Sequence, residues 1–379
     1  MTAPPTLADL LAHHRAVVCV GTGGVGKTTV AAALALAGAL GGRRSMVLTI
    51  DPARQLARAL GLAALRRGGE PVPAAALAAV GLAPTGTLAA GMLDQKAAWD
   101  AFISRHAPSA EVRDTLLANP FYQKMSTSFA GSSEFMAVEE LCRLDETGDH
   151  DLIVIDTPPA GHAVDFLRAP ERIESLLDAG VASWLARPRK RGTWHTLSAT
   201  VGFLLQRLER AMGTRTLREV TAFFVALDAL FGDVAARAAR ARALLYSPRT
   251  AFVLIVGPNE RVLVDGGELA ATMRALGAHL GAVVVNRLHP LPGDGDGAPA
   301  AVDRVLAELA ATGVDATTCA WLGDTWAAAR ATAAAERALL RPFAAALPAG
   351  TTWVEVAELD HDAHSLSDLA ELARSLGAL

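Results

Sequence analysis

The stretch Gly21-Thr22-Gly23-Gly24-Val25-Gly26-Lys27-Thr28-Thr29 decides how the rest of the chain is read. It fits G-x-x-x-x-G-K-[ST], a loop whose glycines bring the backbone close to a phosphate and whose N–H groups point at it. Its flanks are those such a loop needs. Ala16-Val17-Val18-Cys19-Val20 before it is a short apolar run that reads as a buried strand. Thr28 to Leu40 after it has no proline, is dense in Ala and Leu, and reads as a helix. Strand, glycine-rich turn and helix N-terminus together aim backbone amides and the helix dipole at a polyphosphate. In such a loop Lys27 pairs with the β/γ-phosphates of a nucleotide, and the Thr28 hydroxyl ligates Mg²⁺. The competing reading is a chance glycine-rich turn, and it leaves the flanking strand and helix unexplained.

Working outward, apolar runs alternate with helical stretches. Ser45 to Ile50 ends in Asp51-Pro52-Ala53-Arg54-Gln55, and Asp151 to Ile155 ends in Asp156-Thr157-Pro158-Pro159. Thr87 to Leu93, Ala251 to Val256, Gly281 to Val285 and Thr352 to Val356 complete the set. Short, nearly continuous apolar strands separated by helices imply an α/β fold, a doubly wound and mostly parallel sheet covered on both faces. Ligands of such sheets bind at the carboxyl ends of the strands. Asp156 stands at one such end, where a carboxylate holds Mg²⁺ through water. Asp51 stands at another, where a carboxylate beside the γ-phosphate orients the attacking water. Each is also what a helix N-cap or a turn would carry at that place.

Two stretches exceed what crossover helices need, which is about a dozen residues. Lys96 to Cys142 and Arg172 to Tyr246 are long, mostly helical and rich in large apolar side chains. They read as insertions that build a helical subdomain on a single domain spanning residues 1–379. Pro71 to Leu93 is uncharged up to its end but mostly Ala, Gly and Pro, so it reads as a loop or short helix leading into a strand.

Composition narrows the class. Of 379 residues, 51% are hydrophobic and 20% charged, which is globular, and the net charge of −4 gives no nucleic-acid footprint. Cys19, Cys142 and Cys319 are scattered and odd in number, which suits a reducing cytosol and argues against a disulfide framework. The start of the chain shows no leader pattern. Arg187-Pro188-Arg189-Lys190-Arg191, between Trp184 and Trp194, reads as a solvated loop or as a contact for anionic lipid. His361 and His364 are one turn apart and read as surface residues.

The three motifs in order, Gly-x-Gly-Gly-Val-Gly-Lys-Thr-Thr, then Thr49-Ile50-Asp51-Pro52-Ala53, then Asp156-Thr157-Pro158-Pro159-Ala160-Gly161-His162, resemble the ArsA family. That family includes the arsenite-pump ATPase and the ATPase of the guided-entry pathway for tail-anchored membrane proteins. The resemblance spans nearly the whole chain. It implies a P-loop NTPase of the deviant Walker A type with an inserted helical subdomain, acting on ATP with Mg²⁺. It makes Asp51 to Gln55 switch I, with Asp51 positioning water, and Asp156 to His162 switch II. It gives Asn286, after Val283-Val284-Val285, the role of recognising adenine; without it, Asn286 reads as a strand-end turn residue. It also implies a homodimer, or a heterodimer with a related ATPase, and an apolar groove for membrane-protein segments. Met125, Phe129, Phe135 and Met136 would be apolar positions of that helical region.

Three departures limit the transfer. The family's loop begins Gly-Lys-Gly-Gly, and that first lysine reaches the partner's nucleotide; here the position is Thr22. The paired cysteines that hold zinc between protomers of the targeting members are absent. No cluster of cysteines exists to hold arsenite, a soft ligand that wants several thiolates. The expected function is therefore a cytoplasmic, dimeric, Mg-ATP-hydrolysing switch that binds or targets hydrophobic segments. The alternatives are a MinD/ParA-like spatial regulator, and a low-turnover partner subunit of a lysine-bearing paralogue. The regulator class needs a lysine at position 22 and usually a basic amphipathic tail; Ser365 to Leu379 carries Asp368 and Glu371 against Arg374.

Overall fold

The computed structural model describes residues 5–50, 54–66, 68–128, 132–158, 160–178, 219, 222–223, 226, 230–291 and 298–379. In chain order its first half runs α1 (Leu7–His13), β1 (Ala16–Gly21), α2 (Lys27–Leu40), β2 (Arg44–Thr49), α3 (Arg54–Ala59), β3 (Glu70–Pro71), α4 (Ala74–Ala79), β4 (Thr87–Met92), α5 (Gln95–His106), α6 (Ala110–Ala118), α7 (Pro120–Ser128) and α8 (Ser132–Thr147). The second half runs β5 (Leu152–Asp156), α9 (Ala160–Asp178), α10 (Phe231–Leu245), β6 (Thr250–Val256), α11 (Glu260–Ala275), β7 (Leu280–Leu288), α12 (Ala298–Ala311), α13 (Ala316–Ala346), β8 (Thr352–Ala357) and α14 (Leu366–Ser375).

The strands form one sheet in the order β3-β4-β2-β5-β1-β6-β7-β8. All neighbouring pairs are parallel except β3 with β4. Successive side chains of a strand point to opposite faces, so a strand covered on both sides must be apolar throughout. β1 sends Ala16, Val18 and Val20 into one core and Val17 and Cys19 into the other. β6 does the same with Phe252, Leu254 and Val256 against Ala251, Val253 and Ile255. This is the doubly wound sheet expected from the apolar runs. The addition is β3, an edge strand of two residues that is too short to show a period.

On one face, α2 is buried almost from end to end, because α1 and α14 cover the side that the sheet does not. Its many alanines permit that close approach. The other face carries α5, α8, α9, α10 and α11, with Phe102, Tyr122, Phe135, Met136 and Phe166 buried among them. The stretch expected to be mostly helical from Lys96 to Cys142 is the region of α5 to α8. Phe135 and Met136, read as apolar positions of the helical region, are fully buried core residues. Polar links tie α5–α8 to the later helical segment. Asn119 donates from Nδ2 to the Glu219 carbonyl at 2.9 Å, and Arg237 of α10 makes a bidentate pair with Glu139 of α8 at 2.8 Å. Residues 179–218, with the basic run and its two tryptophans, lie outside the described residues, as do Asp51, Phe129 and the side chain of Met125.

Candidate active site

The phosphate loop leaves the centre of the sheet, between β5 and β6. Gly21 ends β1, and a Cβ there would stand 2.1 Å from the Ile255 carbonyl oxygen, so only glycine lets β1 run this close to β6. Gly26 is the N-cap of α2 in the left-handed region, φ 88°, which glycine adopts without a steric penalty. No side chain caps this helix, so its N-terminal end presents backbone amides rather than a hydroxyl or carboxylate. Lys27 is only 7% exposed and donates from Nζ to the Thr22 carbonyl at 2.7 Å, which folds its ammonium back over the loop. The Thr22 side chain is buried, and its hydroxyl has no hydrogen-bond partner among the described residues.

Asp156 is the last residue of β5 and 2% exposed. Its Oδ2 accepts from Thr28 Oγ1 at 2.7 Å and from Thr49 Oγ1 at 2.9 Å. Thr157 beside it donates to the Cys19 carbonyl at 2.8 Å. Burial first, and then the negative charge of Asp156, push the Cys19 thiol far above its ordinary value, with Lys27 opposing. The Thr28 hydroxyl and Asp156 carboxylate are hard oxygen donors, a set that suits Mg²⁺ completed by phosphate oxygens and water. No cluster of three His, Cys, Asp or Glu side chains that could hold a metal ion occurs among the described residues, so such a cation would be held jointly with phosphate. Its chemical contribution would be to neutralise charge on the phosphate oxygens.

The loop floors a cavity of about 520 Å³ that runs from Lys27, Thr28 and Asp156 to Asn286. Asn286, in β7 and 8% exposed, donates from Nδ2 to the Val25 carbonyl at 2.9 Å, so it braces the loop from the far strand. Arg287 next to it has φ 62°, the one positive value at a non-glycine residue among the described residues. Such a backbone costs energy and is held there by its surroundings.

The remaining wall was not foreseen. Much of it is the segment Glu358 to His364, which follows β8 and includes Leu359, His361, Asp362 and Ala363, joined by Leu56 and Ala59 of α3 and by Leu369 and Leu372 of α14. The rule that ligands sit at strand carboxyl ends could have pointed to it, since β8 ends on the same edge as β1 and β5. His361 and His364 thus line the cavity while remaining exposed, as the surface reading expected. His361 Nε2 lies 3.3 Å from Asp368 Oδ1, and the His364 N–H donates to Asp368 Oδ2 at 2.8 Å. Burial would raise the Asp368 pKa, but the hydrogen bonds from His364, Ser365 and His361 outweigh it and hold the carboxyl below its ordinary value. Thr49 was also missed as a neighbour of Asp156. Asp51 is outside the described residues, so water positioning rests on its sequence context.

The sequence also matches known proteins. Residues 14–297 match the family model described as anion-transporting ATPase. The ATPase GET3 of Malassezia globosa is 30% identical over 176 residues, 46% of this chain and 48% of that protein. An uncharacterized protein of Streptomyces coelicolor is 33% identical over 167 residues, 43% of this chain and 39% of its own length. The ATPase ASNA1 homolog of Leishmania braziliensis is 27% identical over 223 residues, 52% of this chain and 54% of that protein. The chain thus spans about half, or less, of the length of these relatives. The family match covers most of the chain and contains β1, the phosphate loop, Asp156 and Asn286, so this chain belongs to the anion-transporting ATPase family.

Proposed function

We propose that this chain binds Mg-ATP in the cavity above the phosphate loop and hydrolyses it. The observation that carries the reading is the convergence of Lys27, Thr28, Asp156 and Asn286, from three separate places in the sequence, on one cavity of about 520 Å³. In this reading Lys27 exchanges the Thr22 carbonyl for the β/γ-phosphates. The loop amides and the helix N-terminus carry the rest of the phosphate charge. Thr28 and Asp156 hold Mg²⁺, and Asp51 orients the attacking water. Asn286 has a donor and an acceptor on its amide, which suits the edge of adenine. The loop residues Gly21, Gly23, Gly24, Val25, Gly26 and Thr29 supply the close backbone approach. Titration with a fluorescent ATP analogue tests the site: Lys27→Ala is expected to remove binding or turnover, and unchanged behaviour would refute the reading. Asp51→Asn is expected to keep binding and slow hydrolysis.

The finer role is a nucleotide-driven dimeric switch in the cytoplasm that binds hydrophobic segments of membrane proteins. Its support is the resemblance to targeting ATPases and the helical layer on one face of the sheet. α9 leaves the Asp156 loop and packs on α8, α10 and α11, which gives the nucleotide end a mechanical route into that layer. No helix among the described residues is long and apolar enough to cross a membrane. Hydrogen exchange in ADP and in ADP·AlF₄⁻ tests this role. Different protection in α8 to α10 is expected, and identical exchange in both states would reduce the layer to a fixed core.

A further inference from the structure

Two hydroxyls meet on one oxygen of Asp156. Thr28 donates to Oδ2 at 2.7 Å and belongs to the phosphate loop. Thr49 donates to the same oxygen at 2.9 Å and does not. Thr49 is the last residue of β2, fully buried, and sits in register beside Asp156 of β5. The next amide, Ile50 N–H, donates to the Asp156 carbonyl at 3.2 Å, and the Thr49 carbonyl accepts the Leu93 N–H at 2.9 Å. The end of β2 therefore grips both the main chain and the side chain of Asp156, and is itself held by the strand on its other side.

A carboxylate turns about a terminal torsion with a broad, roughly two-fold profile. One donor leaves it room to rotate; two donors on one oxygen, from different elements, fix its plane. The two donors are not equivalent. Thr28 sits in the loop that phosphate and cation engage, so its position follows the ligand. Thr49 is embedded in the sheet and stays where it is. A valine would fill the same space without burying a hydroxyl, whose desolvation costs free energy unless it is hydrogen-bonded. The bond to Asp156 offsets that cost.

We propose that Thr49 is a positioning residue for the cation end of the site. Its hydroxyl holds the Asp156 carboxylate in the orientation in which it and Thr28 receive the divalent ion. This rests on the reading of the cavity as a Mg-nucleotide site. Hydrogen-bonded neighbours of metal ligands typically change metal affinity about 10- to 100-fold when removed.

The test uses the full chain, mant-ADP as the probe, and MgCl₂ against EDTA. Wild type is expected to bind mant-ADP more tightly as Mg²⁺ is added. Thr49→Val is expected to keep its affinity in EDTA while its apparent Mg²⁺ affinity falls about 10- to 100-fold. Thr49→Ser, which restores the donor, is expected to recover it. Unchanged Mg²⁺ affinity in Thr49→Val overturns the proposal. So does an equal loss of nucleotide affinity with and without Mg²⁺, which is what a merely structural role gives. Should Thr49→Val not fold, Thr49→Ala is judged by the same criterion, and failure of both to fold assigns Thr49 to the core and also overturns the proposal. Wild type that binds no mant-ADP refutes the nucleotide reading itself, whereas wild type with a Mg²⁺ gain matched by the variant refutes Thr49 alone.

Discussion

Asn286 shows how one side chain serves two ends of a site. Its amide reaches the Val25 carbonyl, 261 residues away in sequence, and its strand forms the wall beyond the loop. Asn286→Ala removes a buried partner of a loop carbonyl, and an orphaned buried acceptor costs about 1–3 kcal/mol. Nucleotide binding is expected to weaken roughly 10-fold, with the ATP-over-GTP preference lost, in competition against a labelled ATP analogue. The cysteines give a second forecast. Burial first, then the charge of Glu139, pushes the Cys142 thiol up to about 12. Cys19 is fully buried, and Cys319 on α13 is partly exposed. The thiolate is the reactive form. At pH 8 Cys319 is expected to react with a thiol reagent in the native protein, and Cys19 and Cys142 only after denaturation. Fast native labelling of Cys19 would contradict the packing of β1.

At the scale of elements, α14 sets the far wall of the cavity. Ser365 and Asp368 form a capping box at its start, and Leu366, Leu369, Leu372 and Ala373 bury its inner face. Asp368 also collects the His364 amide, so the cap fixes the loop that carries His361 to His364. Asp368→Ala is expected to cost about 1 kcal/mol in chemical denaturation, the usual value of a cap. The pH dependence has a definite sign. The folded pKa of Asp368 lies below its unfolded value. Its contribution is then full above the ordinary carboxylate value of about 4 and is lost as pH falls through the folded value. The stability gap between wild type and Asp368→Ala is expected to close on acidification below about pH 4. A gap independent of pH would mean that the cap acts through geometry alone.

At the scale of the molecule, the helical layer is joined across a long stretch of chain by buried charge. Glu139 of α8 pairs with Arg237 of α10 and, at 3.4 Å, with Arg105 of α5. Arg237 also pairs with Glu146, which Arg240 reaches at 2.8 Å. The Glu139 and Arg237 side chains are 6% and 12% exposed, so removing Arg237 leaves a buried Glu139 with the longer, 3.4 Å contact to Arg105 in place of a bidentate partner. Arg237→Ala is expected to destabilise the protein by about 3 kcal/mol. The double variant Glu139→Leu/Arg237→Met is expected to recover most of that loss, because no charge is left buried. Both are read from urea unfolding, and equal losses in the two variants would show that packing rather than charge decides the site.

The sequence by itself determined the phosphate loop, the parallel sheet and the strand-end position of Asp156; Asn286, read as following its strand, lies inside β7, which runs on to Leu288. These are local properties: a glycine spacing, an apolar run, a residue that follows it. Only the tertiary structure decided which strand ends meet. Thr49 and Asp156 are 107 residues apart and share a hydrogen bond because β2 and β5 are neighbours in the sheet. Glu358 to His364 walls the cavity because β8 ends on the same edge as β1. β3 exists only as a pairing with β4. The charge network follows from α8 packing on α10. Strand order and helix packing are set by the free energy of the whole core, and no short window of sequence carries that sum.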